Sequence, residues 1–138
     1  MGFKNASGVS FNNCVGAIDG LLIWISKPTN EDANSCGVGV KKYFCGRKHK
    51  FGLNCQAVSD CEGKILDISI KFGGSSSDCL AFSASNLHSC LQNGLLHNNY
   101  VLFGDNAYLK TFFLATPFPN VSSVSKDNYN YYHSQLRI

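Results

Sequence analysis

The sequence has no apolar run that approaches the roughly 20 residues of a membrane-spanning helix. Its first ten residues lack the charged region and the apolar stretch of a secretory signal peptide. Proline is rare, with three residues, and charged residues make up 15% of the chain against 44% hydrophobic residues. A chain of 138 residues is long enough to bury one core. These features predict one globular domain of an intracellular protein and argue against a disordered or membrane-spanning one.

The cysteines do not have the pattern of a disulfide framework. There are seven of them, an odd number, and no two form a C-x-x-C pair. A zinc site through Cys36, Cys45 and His49 would have a spacing that matches no common zinc module. We therefore expect several of the cysteines to be small buried hydrophobic residues.

Basic residues are concentrated in residues 41–50, which we call the basic strip. This segment holds five of the twelve Lys and Arg residues and no acidic residue, with Tyr43 and Phe44 between them. Its basic residues are Lys41, Lys42, Arg47, Lys48 and Lys50. Such a cluster is typical of a surface that contacts the phosphate backbone of DNA. A solvated hairpin with a charged edge explains the same residues equally well.

Three segments have the patterns of β-strands. Residues 14–25 are apolar enough for a central strand and carry one carboxylate, Asp19, in the middle. Residues 51–60 and 64–72 alternate on either side of a tight turn, which predicts an antiparallel hairpin. The apolar sides of this hairpin hold Phe51, Leu53, Cys55 and Ala57, then Leu66, Ile68 and Ile70, whereas Asn54 and Gln56 lie on the other side of its first strand.

The segment after the hairpin changes to a helical period. Leu80, Ala84, Leu87 and Leu91 recur at the spacing of one helix face. Residues 75–77 and Asp78 are suited to the N-cap and the first turn of that helix. By contrast, residues 26–40 are rich in turn-forming residues and predict a loop.

The last part of the chain adds a strand and a helix. Residues 101–103 predict a fourth strand that leads to Asp105, and residues 106–115 predict a short helix that ends at Pro117 and Pro119. The whole order predicts an α/β fold with a mixed sheet and flanking helices. It suits a ribonuclease-H-like core, although other α/β layouts share this order.

Carboxylates are associated with two of the buried strands. Asp19 lies inside one strand and Asp105 ends another, where each loses hydration and needs a hydrogen-bonding partner or a cation. On neighbouring strands they would repel each other unless a divalent cation lay between them. Asp78 could turn toward the same place, and a helix-cap role fits its position as well. The sequence thus predicts a candidate Mg²⁺ site beside the basic strip, of the kind that activates a nucleophile in nucleases.

Several motifs occur in one order along the chain. They are GAIDGLLIWI, KKYFCGRKHKFGLNCQAVSD, ILDISIKFGGSSSDCLAF, LFGDNAYL, ATPF and KDNYNYYHSQLRI. Together they resemble the nuclease domain of PIF/Harbinger-type DDE transposases, and the last resembles the segment just before the final catalytic acid. The resemblance covers nearly all of residues 14–138.

The resemblance implies a ribonuclease-H-like enzyme of a transposable element that cuts and joins DNA with a divalent metal cofactor, Mg²⁺ or Mn²⁺. It implies that Asp19 and Asp105 are catalytic and bind the metal directly, and that Asp78 joins the metal-binding set. It also implies DNA as partner, a nuclear or cytoplasmic location, and a separate DNA-binding protein as a further partner.

The third catalytic acid of the family, a Glu on a helix, is expected within about a handful of residues beyond Arg137 and Ile138. We therefore interpret residues 14–138 as a partial DDE nuclease domain, truncated before that acid, and residues 1–13 as a loose N-terminal segment. The absent helix would leave apolar sheet uncovered. The sequence leaves open whether this chain is an active enzyme or, alternatively, an inactive transposase remnant that retains metal or DNA binding.

Overall fold

The computed structural model describes residues 3–4 and 10–135 of the chain, and none of the helices described is long and apolar enough to cross a membrane. The strands are β1 Phe3–Lys4, β2 Ser10–Phe11, β3 Cys14–Trp24, β4 Phe44–Cys45, β5 Lys50–Ser59, β6 Ile65–Gly73, β7 Val101–Phe103 and β8 Leu114–Ala115. The α-helices are α1 Asn30–Ser35, α2 Asp78–Ser83, α3 Asn86–Gln92 and α4 Val124–Gln135, and Val40–Tyr43 form a 3₁₀ turn. Residues 1–2 and 5–9 of the predicted loose segment lie outside the described residues, and β1 pairs with β2.

A six-stranded mixed sheet organises the fold around β3. Its strand order is β4–β5–β3–β7–β8, and β6 also pairs with β5. β3 is antiparallel to β5 and parallel to β7, which is parallel to β8. The predicted central strand, the β5–β6 hairpin and the mixed sheet with flanking helices are thereby confirmed, in the order of a ribonuclease-H-like α/β fold.

Apolar packing covers both faces of the sheet near β3 and β7. On one face α2 and α3 bury a core of Ile18, Val58, Phe82, Leu91, Leu102, Tyr108, Phe113 and Leu114. On the other face, Cys14 and Phe103 form a smaller cluster, and Phe103 stacks on His133 of α4 with ring centroids 4.5 Å apart. Burial raises the pKa of the Cys14 thiol to about 12. Cys14, Cys45 and Cys55 are buried free thiols, as expected for several cysteines.

The prediction of one continuous helix over residues 80–91 was wrong. The chain forms two short helices instead, because Ser85 interrupts the first and caps the second. The Ser85 hydroxyl accepts a hydrogen bond from the His88 amide at 3.1 Å, as an N-cap does. The predicted apolar stripe is therefore not buried as a whole, since Leu80 is 53% exposed while Leu91 is buried.

The predicted helix over residues 106–115 was also wrong. This segment forms turns and then β8. The Thr111 hydroxyl accepts hydrogen bonds from the amides of Phe113 and Leu114, and such local bonds compete with the helical pattern. Strand pairing of β8 with β7 then satisfies the backbone that a helix would have bonded internally.

The predicted loop over residues 26–40 contains a short helix, α1. Thr29 caps it by accepting a hydrogen bond from the Asp32 amide at 3.1 Å. Ala33 is buried and anchors this helix. A segment rich in turn-forming residues can still contain one short capped helix, since α1 has only six residues.

The outer part of the sheet carries an exposed apolar face. Leu66, Ile68 and Ile70 of β6 are each about half exposed, and the register between β5 and β6 shifts beside Leu66 and Ile70. Leu21 of β3 is also exposed over 62% of its area.

Candidate functional site

Asp19 lies within β3, and Asp105 follows the end of β7, the parallel neighbour of β3. Ala17 of β3 pairs with Phe103 of β7, and each carboxylate comes two residues after this pair. Ala17 and Phe103 belong to the cluster on the α4 face of the sheet, whereas a Cβ on Gly104 would face Ile18 and Leu114 of the other core. Continued alternation from Phe103 through Gly104 therefore directs Asp105, like Asp19, toward the α4 face at the same edge of the sheet.

Local backbone contacts hold each of these carboxylates in place. The Asp19 Oδ1 accepts a hydrogen bond from the Gly20 amide at 2.9 Å. The Asp105 Oδ1 accepts one from the Ala107 amide, also at 2.9 Å. Asp19 is exposed and Asp105 is half-buried, so both keep part of their hydration. One oxygen of each carboxylate is thus held by a backbone amide.

Asp78 lies on the opposite face of the central strand. It is the first residue of α2, after Ser77, whose hydroxyl caps the helix by accepting from the Leu80 amide. The Asp78 carboxylate contacts Gly20 so closely that a Cβ there would overlap it. Since Gly20 faces α2, the side chain of the preceding Asp19 points away from Asp78. The predicted first-turn position is confirmed, and the ligand role of Asp78 stays a prediction.

Two buried amide side chains of β5 hold the Asp78 carboxylate. Its Oδ1 accepts hydrogen bonds from Gln56 Nε2 at 2.9 Å and Asn54 Nδ2 at 3.1 Å. Asn54 and Gln56 are only 3% and 2% exposed, so these polar side chains of β5 are buried and do not face solvent. Gln56 Nε2 also donates to Asn54 Oδ1 at 2.7 Å, and Asn54 Nδ2 to the Ser76 carbonyl at 3.2 Å.

Tyr108 links this network to the loop that carries Asp105. Its hydroxyl donates to Gln56 Oε1 at 2.6 Å, and its amide donates to the Asp105 carbonyl at 3.3 Å. Burial raises the pKa of Tyr108 well above its usual range, and the charges of Asp78, Asp19 and Asp105 raise it further. All three carboxylates therefore act electrostatically on one buried hydroxyl.

Sequence patterns alone do not identify Asn54, Gln56 and Tyr108 as site residues. Their partners are distant along the chain, since Tyr108 bonds a residue 52 positions away and Asn54 one 24 positions away. The available signal is the pair of amides at alternate positions of a strand whose opposite side is apolar. The same pattern is typical of a solvent-facing polar side, and only the partners that a buried polar group needs distinguish the two.

Two residues of the basic strip lie beside Asp78. Lys41 and Lys42 lie in the 3₁₀ turn, Arg47 and Lys48 form the tip of the β4–β5 hairpin, and Lys50 begins β5; all five are exposed. Arg47 and Lys48 line a cleft of about 290 Å³ together with Trp24, Asn54 and Asp78, among other residues. This arrangement brings Arg47 and Lys48, two of the five residues predicted to contact DNA, next to Asp78.

Two glycines fix the strip against the end of β6. A Cβ on Gly73 would overlap the Lys42 carbonyl, and one on Gly74 would lie 3.0 Å from the Tyr43 carbonyl. The Ser75 amide donates to the Lys42 carbonyl at 3.1 Å. The basic strip is therefore attached by its backbone to the segment that precedes α2.

The donor set at the edge of β3 and β7 fits a hard divalent cation in part. Within the described residues, no three His, Cys, Asp or Glu side chains are close enough together to hold a metal ion. Mg²⁺ is commonly held by one or two carboxylates, with waters and substrate phosphates as the other ligands. Asp19 and Asp105, on one face and partly hydrated, match that requirement.

Comparison with known proteins identifies the family. The family model for "DDE superfamily endonuclease" matches residues 18–138. Proteins named "Putative nuclease HARBI1" from Mus musculus, Rattus norvegicus and Homo sapiens are 28% identical over 120 residues, which is 87% of this chain. The chain spans about a third of these curated relatives, 32% of their length. No solved structure matches the chain. Because the family model covers most of the sequence, the chain belongs to the DDE superfamily endonucleases.

Proposed function

We propose that the chain is a divalent-metal-dependent DNA endonuclease and transposase domain of the Harbinger type, acting by phosphodiester hydrolysis and strand transfer. The observation that carries this proposal is that Asp19, within β3, and Asp105, just after the parallel strand β7, lie at one edge of the sheet. Family membership supports the nuclease chemistry, and the resemblance in the sequence motifs supports the Harbinger type.

In this proposal Asp19 and Asp105 hold Mg²⁺ or Mn²⁺ through the oxygens that the backbone leaves available. A divalent cation bound between these carboxylates would activate water for strand cleavage and then the freed 3′ hydroxyl for joining. The chain's own contribution is to hold two carboxylates in a fixed geometry, which needs no rearrangement when the substrate arrives.

The basic strip binds the DNA in this proposal. Arg47 and Lys48 are exposed at a hairpin tip beside the cleft, so their charges reach a phosphate backbone without burial. Lys41, Lys42 and Lys50 extend the positive surface. The DNA substrate favours a nuclear location, and a separate DNA-binding protein is proposed as a further partner.

The test is Mn²⁺-dependent nicking of supercoiled plasmid by the 138-residue chain. We expect nicking by the parent, none by Asp105→Asn or Asp19→Asn, and none when EDTA removes the metal. Glu62→Gln is the matched control, because Glu62 is an exposed carboxylate in the β5–β6 turn and should leave nicking unchanged.

The alternative hypothesis, an inactive remnant, has its own signature in the same samples. A folded parent that nicks no DNA, but whose melting temperature still rises with Mn²⁺ in a manner that needs Asp105, would support the remnant. Nicking that survives Asp19→Asn and Asp105→Asn would contradict the proposed site altogether.

A further inference from the structure

We propose that Asp78 and Tyr108 are positioning residues: through Gln56 they form a buried polar connection that holds the Asp105 loop in its metal-binding geometry. This inference rests on the proposed function, because it assigns Asp105 to the metal. It differs from the sequence-based expectation, in which Asp78 is itself a ligand.

The connection is continuous from α2 to the loop after β7. Asp78 Oδ1 accepts from Gln56 Nε2 at 2.9 Å, and Gln56 Oε1 accepts from the Tyr108 hydroxyl at 2.6 Å. Gln56 and Tyr108 are 2% and 5% exposed, so water does not replace these bonds readily. The Gln56 amide is therefore fully engaged, with its oxygen toward Tyr108 and its nitrogen toward Asp78.

Tyr108 in turn fixes the loop on both sides of Asp105. Its ring lies against Gly104, with a ring carbon 3.0 Å from where a Cβ would be. Its amide donates to the Asp105 carbonyl, so the residues between them form a closed turn. The ring also packs edge-on against Phe82 of α2, with centroids 5.9 Å apart. Displacement of the loop would therefore break both the hydrogen bond of Tyr108 to Gln56 and its ring contact with Phe82.

The position of Asp78 suits an anchor better than a ligand. Its Oδ1 already accepts from two amide groups, those of Gln56 and Asn54. Its carboxylate lies over Gly20, on the face of β3 away from the Asp19 side chain. An anchor needs only an acceptor oxygen at this place, whereas a ligand needs the negative charge.

That difference defines the experiment, a calorimetric titration of Mn²⁺ into the full chain and its variants. Asp78→Asn keeps an acceptor oxygen for Gln56 and Asn54 and removes the charge. We expect it to retain the Mn²⁺ affinity of the parent within about threefold. Asp78→Ala and Tyr108→Phe should each weaken the affinity by roughly 10- to 100-fold, the usual effect of removing a group that orients a metal ligand.

Outcomes for the two proposals are separable. If Asp78→Asn loses Mn²⁺ as completely as Asp105→Asn, then Asp78 is a ligand and the positioning role is rejected. Unchanged affinity in both Asp78→Ala and Tyr108→Phe also rejects it, while the metal site itself stands. If the parent does not bind Mn²⁺, or Asp105→Asn binds normally, the proposed metal site fails and the positioning role fails with it.

Thermal melting of every sample distinguishes positioning from plain stabilisation. A purely structural role would lower the melting temperature of Tyr108→Phe without changing the Mn²⁺ affinity of the folded protein, and would overturn the inference. Tyr108→Phe keeps the ring and its packing, so it remains informative if Asp78→Ala does not fold.

Discussion

Gly73 shows how one residue without a side chain connects the basic strip to the sheet. It ends β6, and its Cα faces the backbone carbonyl of Lys42. A carbonyl cannot rotate away as a side chain can, so even a methyl group would force the two segments apart. The same residue therefore affects both the stability of the fold and the place of the strip.

At the residue scale we predict that Gly73→Ala destabilises the protein by about 1–3 kcal/mol, because overpacking forces a backbone shift. Urea unfolding of the variant and the parent measures the change. Gly39→Ala is the control, since Gly39 has φ −78° and a Cβ there meets nothing within 4 Å. Equal stabilities for the two variants would contradict the overlap at Gly73.

The arrangement of α2 and α3 depends on the cap at Ser85 between them. α2 has six residues and α3 has seven, too few for either to be stable alone. Their apolar residues Phe82 and Leu91 belong to the core, so packing supplies most of their stability. The cap at Ser85, which is 2% exposed, supplies the change of direction between them.

At the element scale we predict that Ser85→Ala lowers the free energy of unfolding by about 1 kcal/mol, because the His88 amide loses its acceptor. Thermal or urea unfolding is the measurement. Ser89→Ala, at an exposed position within α3, should change the stability by less than about 0.5 kcal/mol. A neutral Ser85→Ala would show that packing alone sets the break between the helices.

Charge is distributed unequally over the whole molecule. The tip of the β4–β5 hairpin, with Arg47 and Lys48, lies before the first residue of β5, and Lys64 lies in the turn after its last residue. β5 has ten residues, so the two ends are roughly 30 Å apart at the rise of a β-strand. A DNA contact at the hairpin tip is therefore distinct in space from a contact at Lys64.

At the scale of the molecule we predict that Arg47→Ala and Lys48→Ala each reduce the slope of log K against log salt by roughly one, with short duplex DNA as ligand. Fluorescence anisotropy at several salt concentrations measures the slope. Arg47→Lys and Lys48→Arg keep the positive charge at each position and should leave the slope as it is in the parent. An unchanged slope in the two alanine variants would place the DNA elsewhere.

Local patterns in the sequence were sufficient for the strands that are apolar throughout and for the hairpin. The run from Cys14 to Trp24 is apolar enough to favour a central strand, and the alternation of β5 and β6 needs only neighbouring residues. Patterns failed where a single side chain overrode propensity. Ser85 divided a regular helical stripe, and Thr111 held a segment of helical composition in a turn before β8.

The candidate site divides in the same way. Asp19 and Asp105 could be found from the sequence, because a carboxylate in or after a buried strand is unusual and the motifs around it resemble a known family. The buried amides of β5 could not be found in this way, because Asn54 and Gln56 have the pattern of surface residues until α2 and Tyr108 are placed over them.

The sequence by itself determined the mixed α/β fold, the antiparallel β5–β6 hairpin and the concentration of cations in residues 41–50. It also determined that Asp19 and Asp105 lie in or just after buried strands. These depend on periodicity and composition, which act between residues close along the chain. The tertiary structure alone decided that Asp19 and Asp105 share one face of the sheet while Asp78 lies on the other, where it is bonded to Gln56, which is itself bonded to Tyr108. Strand pairing and the burial of distant polar groups set these contacts, and no local pattern contains them.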